Sequence, residues 1–236
     1  MITVFTSCYN QGKFLSEAIE SVLKQSYGDF EYLIYDDGST DNTWEIINSY
    51  DDSRIKAFKL KKAKNIATVL NMSINRMKGR VWSWCPSDDI WHAKLLSDKR
   101  DFALALNPNA VIYSDWDVIN EDGTHYAMIK PRISFKDFPK LVWESSPIGF
   151  TGIWIPKRVF DIVGGFPEHI DFSEDYYWMV KATIHDILFY SYPKVLYKKR
   201  RHLDQLSNIN QSGIQLQLPI IRQELKEYEE SITKRD

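Results

Sequence analysis

Within its first 114 residues the sequence alternates strand-like apolar runs with stretches of helical periodicity, and few folds accommodate that order. Ile2–Ser7, Phe30–Tyr35, Ile55–Leu60, Val81–Cys85 and Ala110–Ser114 are short apolar runs that read as strands. Between them, Phe14–Leu23 carries apolar residues at helical spacing, and a second helix passes through Trp44, Ile46 and Ile47. A third joins Ile66, Val69, Leu70, Ile74 and Met77 and stops near Gly79, and a fourth spans Lys94–Leu106. This βαβα order predicts a largely parallel sheet with right-handed crossovers. Open sheets of that kind bind ligands at the carboxyl edge of their strands, where the strand order reverses.

Two acidic doublets end strand-like runs. Asp36-Asp37 follows Tyr32–Tyr35, and Asp88-Asp89 follows Val81–Ser87. Carboxylates crowded at a sheet edge repel each other unless a cation or hydrogen-bond donors neutralise them. A base and ribose at one doublet, with a divalent cation and diphosphate at the other, would do so; the pattern reads as a nucleotide-sugar site. Taken singly, Asp36-Asp37-Gly38-Ser39 also reads as a solvated turn before a helix, and Pro86-Ser87-Asp88-Asp89 as a helix-entry turn.

With 236 residues, 44% of them hydrophobic, the chain can build one domain, or one domain with an appended subregion. A net charge of −2 supplies no basic field for nucleic acid. Residues 1–7 run directly into a strand, and no apolar run is long enough to cross a bilayer. Cys8 and Cys85 form neither a disulfide framework nor a zinc motif. These features point to a reduced, cytoplasmic setting, at most peripheral to the inner face of a membrane.

After about Asp115 the rhythm breaks. Asn120–Gly123 is a hairpin-type turn, residues 126–150 are irregular, and a helix covers about Glu174–Thr183. The basic tetrad Lys198–Arg201 precedes His202, and an amphipathic, charged helix spans Ile214–Ile232. The expected organisation is a single domain, 1–236. Residues 1–115 would bind nucleotide sugar, 116–205 would bind acceptor and catalyse, and 206–236 would form a helical tail open to oligomerisation.

An ordered set of motifs carries a resemblance over roughly residues 1–205: Thr3–Asn10, Ser21–Tyr27, Tyr35–Asp41, Asn65, Asn71, Gly79, Pro86–Asp89, Gly164-Gly165-Phe166 and Ser173-Glu174-Asp175. The set resembles the inverting glycosyltransferases of family 2. That resemblance implies a GT-A-like α/β domain, with a mostly parallel, Rossmann-like sheet flanked by helices and a mixed acceptor-side subregion. It implies that Thr6 and Tyr9 line a base pocket, that Asp37 accepts a hydrogen bond from the base imide, and that Asn65 contributes to nucleotide binding. A strand-end carboxylate is chemically suited to a ring N–H. Asp88 would face the ribose or donor sugar, Asp89 would ligate Mn²⁺ or Mg²⁺, and His202 would complete the metal site. Pro86 stands where many relatives carry a further Asp. Asp175 matches the position of the base that deprotonates the acceptor hydroxyl. The resemblance implies a nucleotide-diphospho-sugar donor, expected to be UDP-linked, and a glycan, lipid-linked or other hydroxyl as acceptor.

Other readings compete. A sugar nucleotidyltransferase would need a Gly-rich, basic loop after the first strand, whereas Ser7–Gly12 has one Gly and no Arg. An acidic-pocket receiver domain would leave residues 120–236 unexplained. A catalytically silent nucleotide-sugar binder stays open. Locally, Glu174-Asp175 could merely complement a helix dipole, and Arg200 and Arg201 could be a solvated face rather than diphosphate contacts. Lys64 is a weaker candidate for donor contact, and Trp91, Trp143 and Trp178 read as structural. If the strand order reverses beside the first strand, Cys8 and Cys85 become neighbours at the carboxyl edge. They would be thiols whose alkylation hinders nucleotide binding.

Overall fold

The computed structural model describes residues 1–203, 205 and 211–234. Its centre is a five-stranded sheet made from β1 (Ile2–Cys8), β2 (Phe30–Asp36), β3 (Ile55–Lys59), β4 (Val81–Trp84) and the two-residue β8 (Ile155–Pro156). The order is β3-β2-β1-β4-β8, with the first four parallel and β8 antiparallel. The order therefore reverses beside β1. Every position of β2 is buried, which is what a parallel strand covered on both faces requires. Val4 and Ile34 pack on one side with Leu15, Ala18, Ile19 and Val22 of α1 (Leu15–Leu23). Their chain neighbours Phe5 and Tyr35 pack on the other side with Ala67, Val69 and Leu70 of α3 (Ile66–Arg76). The period of two along the strands and the helical spacing on α1 and α3 thus fill two separate cores.

Ala110–Ser114, expected within the parallel sheet, is instead the start of a longer strand, β6 (Val111–Ile119). It lies in a second sheet of order β5-β9-β6-β7, with β5 (Ile90–Trp91), β7 (His125–Ile129) and β9 (Phe189–Arg200). Among the described residues, the isolated bridge Ile112–Trp154 ties β6 to the β8 segment of the first sheet. The turn at Asn120–Gly123 explains the departure: it folds β7 back antiparallel on β6, and β9 takes the other edge in parallel register. The stretch expected to be irregular, 126–150, contains most of β7 and a short helix, α5 (Phe138–Glu144). The remaining helices are α2 (Thr43–Asn48), α4 (Leu95–Ala103), α6 (Lys157–Val163), α7 (Glu174–Ile184) and α8 (Gln211–Thr233).

The C-terminal helix is no detached tail. Ile221 and Leu225 of α8 are fully buried in the core that α7 helps to form. Tyr177 donates to Glu224 at 2.8 Å, and Arg222 donates to the Glu144 carbonyl at 2.6 Å. Ile221 and Leu225 thus face the chain's own core, while Leu216 and Ile220 of the same helix stay exposed. Residues 206–210 and 235–236 of that expected tail lie outside the described residues. Among the described residues, no helix is long and apolar enough to cross a membrane.

Candidate active site

β1 and β2 end side by side, with Cys8 in register with Asp36. The loop after β1 is stitched to the turn after β2. Asn10, in the left-handed region at φ 52°, accepts from the Thr40 amide at 2.8 Å, and its own amide donates to Ser39 Oγ at 2.9 Å. Asp36 is fully buried and accepts from the Ser39 amide at 2.9 Å. Asp37 points elsewhere. Its Oδ1 accepts from the Ala63 amide at 2.6 Å, and its Oδ2 pairs with Lys62 Nζ at 3.0 Å. The same Nζ lies 3.4 Å from the centre of the exposed Tyr9 ring. Tyr9 and Asp37 are thus brought together, with a lysine between them that no local sequence signal marks.

Thr6 and Asn65 are placed differently from the expectation. Thr6 is sealed from solvent, its hydroxyl donating to the Cys85 carbonyl at 2.6 Å and bonded to Tyr32 OH at 2.8 Å. It ties β1 to both neighbouring strands rather than presenting a hydroxyl to a ligand. Asn65 caps α3 by accepting from the Thr68 amide, and its Nδ2 donates to the carbonyls of Glu168 and Ile170. Lys64 likewise donates to the Glu168 carbonyl at 3.0 Å. Two other motif residues meet in the same region, since Asn71 both accepts from the Phe166 amide and donates to its carbonyl.

The second doublet divides in the opposite sense from the expectation. Asp89, read from sequence as the metal ligand, is 2% exposed and has both carboxylate oxygens engaged. Thr151 Oγ1 donates to one at 2.6 Å and the Arg200 amide to the other at 3.0 Å. Burial and the neighbouring Asp88 push its pKa up to about 7. Asp88 is less deeply buried, with its Oδ2 3.0 Å from His202 Nε2. His202 packs against the Phe14 ring at 4.8 Å. The carboxylate–imidazole pair is therefore Asp88–His202. Arg200, considered for diphosphate contact, is buried and committed to Glu17 at 2.6 Å and to the carbonyls of Asp88 and Glu121. Arg201 is exposed and stacks over Tyr126. A cavity of about 410 Å³ opens beside His202, lined also by Asn120, Glu121, Asp122, Arg201 and Leu203.

Asp175 is the second residue of α7, whose preceding residue Ser173 adopts φ 68°. Its Oδ1 accepts from the Tyr176 amide at 2.7 Å. Burial raises the Asp175 pKa, opposed by its hydrogen bond and by the positive charge of Lys199. Lys199 likewise opposes the rise at Asp89, so one cation on β9 acts on both the second doublet and the start of α7. Glu174 is buried, and its pKa is pushed up to about 8 by desolvation and by Asp175. Trp178 donates to the Gly164 carbonyl, and both it and Trp91 are buried in the cores, while Trp143 packs against one of them. Cys8 and Cys85 are free thiols, but burial seals them and raises both pKa values. The expected modification in the folded protein therefore has no exposed, ionised thiol to act on.

A family model, Glycosyl transferase family 2, matches residues 3–166. The chain belongs to that family. A glycosyltransferase of Rickettsia prowazekii, itself uncharacterized, is 27% identical over 88% of this chain and 66% of its own length. The Escherichia coli enzyme WfgD, a UDP-Glc:alpha-D-GlcNAc-diphosphoundecaprenol beta-1,3-glucosyltransferase, is 32% identical over 56% of this chain and 52% of its own. This family 2 chain thus spans about half to two thirds of these relatives. Residues 1–349 of S. aureus TarS in complex with UDP-GlcNAc superpose with a TM-score of 0.69 at 23% identity, covering 86% of this chain and 59% of that one. The Pyrobaculum calidifontis mannosyltransferase PcManGT, in complex with GDP-Man and Mn²⁺, gives 0.67 at 16% identity, covering 94% and 62%. The expected GT-A-like α/β fold is the observed one.

Proposed function

We propose that this family 2 chain transfers a glycosyl group from a UDP-sugar to an acceptor hydroxyl, with inversion at the anomeric carbon. One observation carries the reading: folding brings His202 from 114 positions away to within 3.0 Å of Asp88, at the carboxyl edge of a parallel sheet. A part-buried carboxylate beside a buried imidazole, at the rim of a cavity, suits a divalent cation that would take its remaining ligands from a diphosphate. Among the described residues, no group of three His, Cys, Asp or Glu side chains is arranged to hold a metal. Such a cation would therefore have these two side chains as protein ligands, and the imidazole favours Mn²⁺ over the more strictly oxygen-seeking Mg²⁺. When bound, it would spread the negative charge that develops on the leaving diphosphate.

The chain's own groups account for the rest. Tyr9 offers a ring face and Asp37 an acceptor for a base imide N–H. Asp175 would take the acceptor proton as that oxygen bonds to the anomeric carbon, while the bond to phosphate breaks and its electron pair leaves with UDP. Its raised pKa strengthens it as a proton acceptor. Lys199 would hold the carboxylate in its ionised, receptive form. The acceptor would be a glycan or lipid-linked hydroxyl, as the name of WfgD suggests for that relative, within glycoconjugate or polysaccharide synthesis. A screen of UDP- and GDP-sugars for release of free nucleoside diphosphate, with and without Mn²⁺, tests the reading. Metal-dependent release of UDP in the presence of acceptor is expected. Binding without release under every condition would make the chain a silent binder.

A further inference from the structure

We propose that Lys62 is a built-in competitor for the base pocket, an inference that rests on reading Tyr9 and Asp37 as the base-binding pair. The ammonium nitrogen lies 3.4 Å from the Tyr9 ring centre and 3.0 Å from Asp37 Oδ2. The first distance leaves no room for another ring on that face. The second is that of a charge-assisted N–H···O bond. A pyrimidine stacked on Tyr9 with its imide N–H directed at Asp37 would put its ring nitrogen where Lys62 Nζ now sits. The lysine therefore satisfies both halves of the pocket, the π face through its charge and the carboxylate through its N–H.

The backbone around Lys62 is fixed while the side chain is not. The Leu60 amide donates to the Asp36 carbonyl at 2.8 Å, and the Ala63 amide grips Asp37 Oδ1 on the far side of residue 62. Gly38 sits at φ 79°, where a Cβ would lie 3.0 Å from the Lys62 backbone nitrogen, so the turn and this segment pack backbone against backbone. The Lys62 side chain itself is 54% exposed. A flexible four-carbon stem on a rigid base can leave the pocket without disturbing Asp37, whose other oxygen stays held by Ala63. Nucleotide binding then selects the lysine-out state, and the apparent affinity falls by the fraction of molecules in that state.

The test is calorimetric binding of UDP and of uridine to wild type, Lys62→Met and Asp37→Ala. Lys62→Met keeps the stem and removes the charge at an exposed position. It should tighten UDP and uridine alike, by about 3–10-fold if the lysine-in state holds most molecules. The gap should narrow as salt screens the wild-type ion pair. An unchanged or weaker affinity for UDP in Lys62→Met overturns the inference, and weakening confined to UDP would make Lys62 a phosphate contact. The base-pocket reading fails separately if Asp37→Ala binds UDP as well as wild type does. Failure of wild type and Lys62→Met alike to bind UDP removes both.

Discussion

The two acidic doublets look alike in sequence and divide their labour in opposite order. In Asp36-Asp37 the first carboxylate is buried in the strand end and the second faces Tyr9 and Lys62. In Asp88-Asp89 the first faces His202 and the second is buried against Thr151 and the Arg200 amide. The cause is where each doublet sits relative to its strand. Asp36 is the last residue of β2, so the alternation of the strand still governs its direction. β4 ends at Trp84, and Asp88-Asp89 lies beyond Pro86 in a turn, closed by the Asp89 amide on the Pro86 carbonyl. In that turn, partners from β9 and residue 151 choose the directions. Glu174-Asp175 repeats the theme at a helix start: Glu174 is buried and Asp175 is partly exposed. In each acidic pair one carboxylate is the more deeply buried: Asp36, Asp89 and Glu174.

The largest effect should come from the third pair. Asp175→Asn keeps size and hydrogen bonding but removes basicity, and should lower turnover by about 10²–10⁴-fold with UDP affinity nearly unchanged. Normal turnover with saturating acceptor would show that another group takes the proton.

The second doublet supplies the sharper contrast. Asp88→Ala should weaken Mn²⁺-dependent UDP binding by at least about tenfold, since it removes a charged ligand, with little change in stability. Asp89→Ala should do the reverse. It strands the Thr151 hydroxyl and the Arg200 amide, at about 1–3 kcal/mol for each group left unpaired, read by urea denaturation. If calorimetry found Mn²⁺ dependence lost in Asp89→Ala and kept in Asp88→Ala, the inward and outward assignments would have to be exchanged.

The smallest effect is a pH dependence. The Glu174 pKa is about 8 when folded and near the ordinary carboxylate value when unfolded, so the folded chain holds a proton that the unfolded chain has released between about pH 4 and 8. Its contribution to stability is therefore present in acid and is lost as pH rises through about 8. Glu174→Gln should melt higher than wild type at pH 9 by several degrees, with the difference shrinking toward pH 5, as followed by circular dichroism. A difference independent of pH would mean that Glu174 does not carry the buried proton.

What could be read from the chain beforehand follows the range of the interactions involved. The parallel strands and their helices come from local periodicity, which each segment carries within itself, whereas the reversal beside β1 is shown by the sheet order. The acidic doublets that follow the runs of β2 and β4 are likewise local. Sequence alone thus determined the layered α/β architecture and the edge at which the chemistry gathers. It could not determine which carboxylate of a doublet faces out, because Thr151 and Arg200, which bind Asp89, lie 62 and 111 positions away. Nor could it seat Lys62 between Tyr9 and Asp37, or carry β6 out of the first sheet, since β9, its partner, is not reached until Phe189. Those choices belong to tertiary structure for one physical reason. A side chain beyond the end of a strand or helix has no repeating backbone to fix its direction, so it points to whichever distant donor the packed chain brings within hydrogen-bond reach.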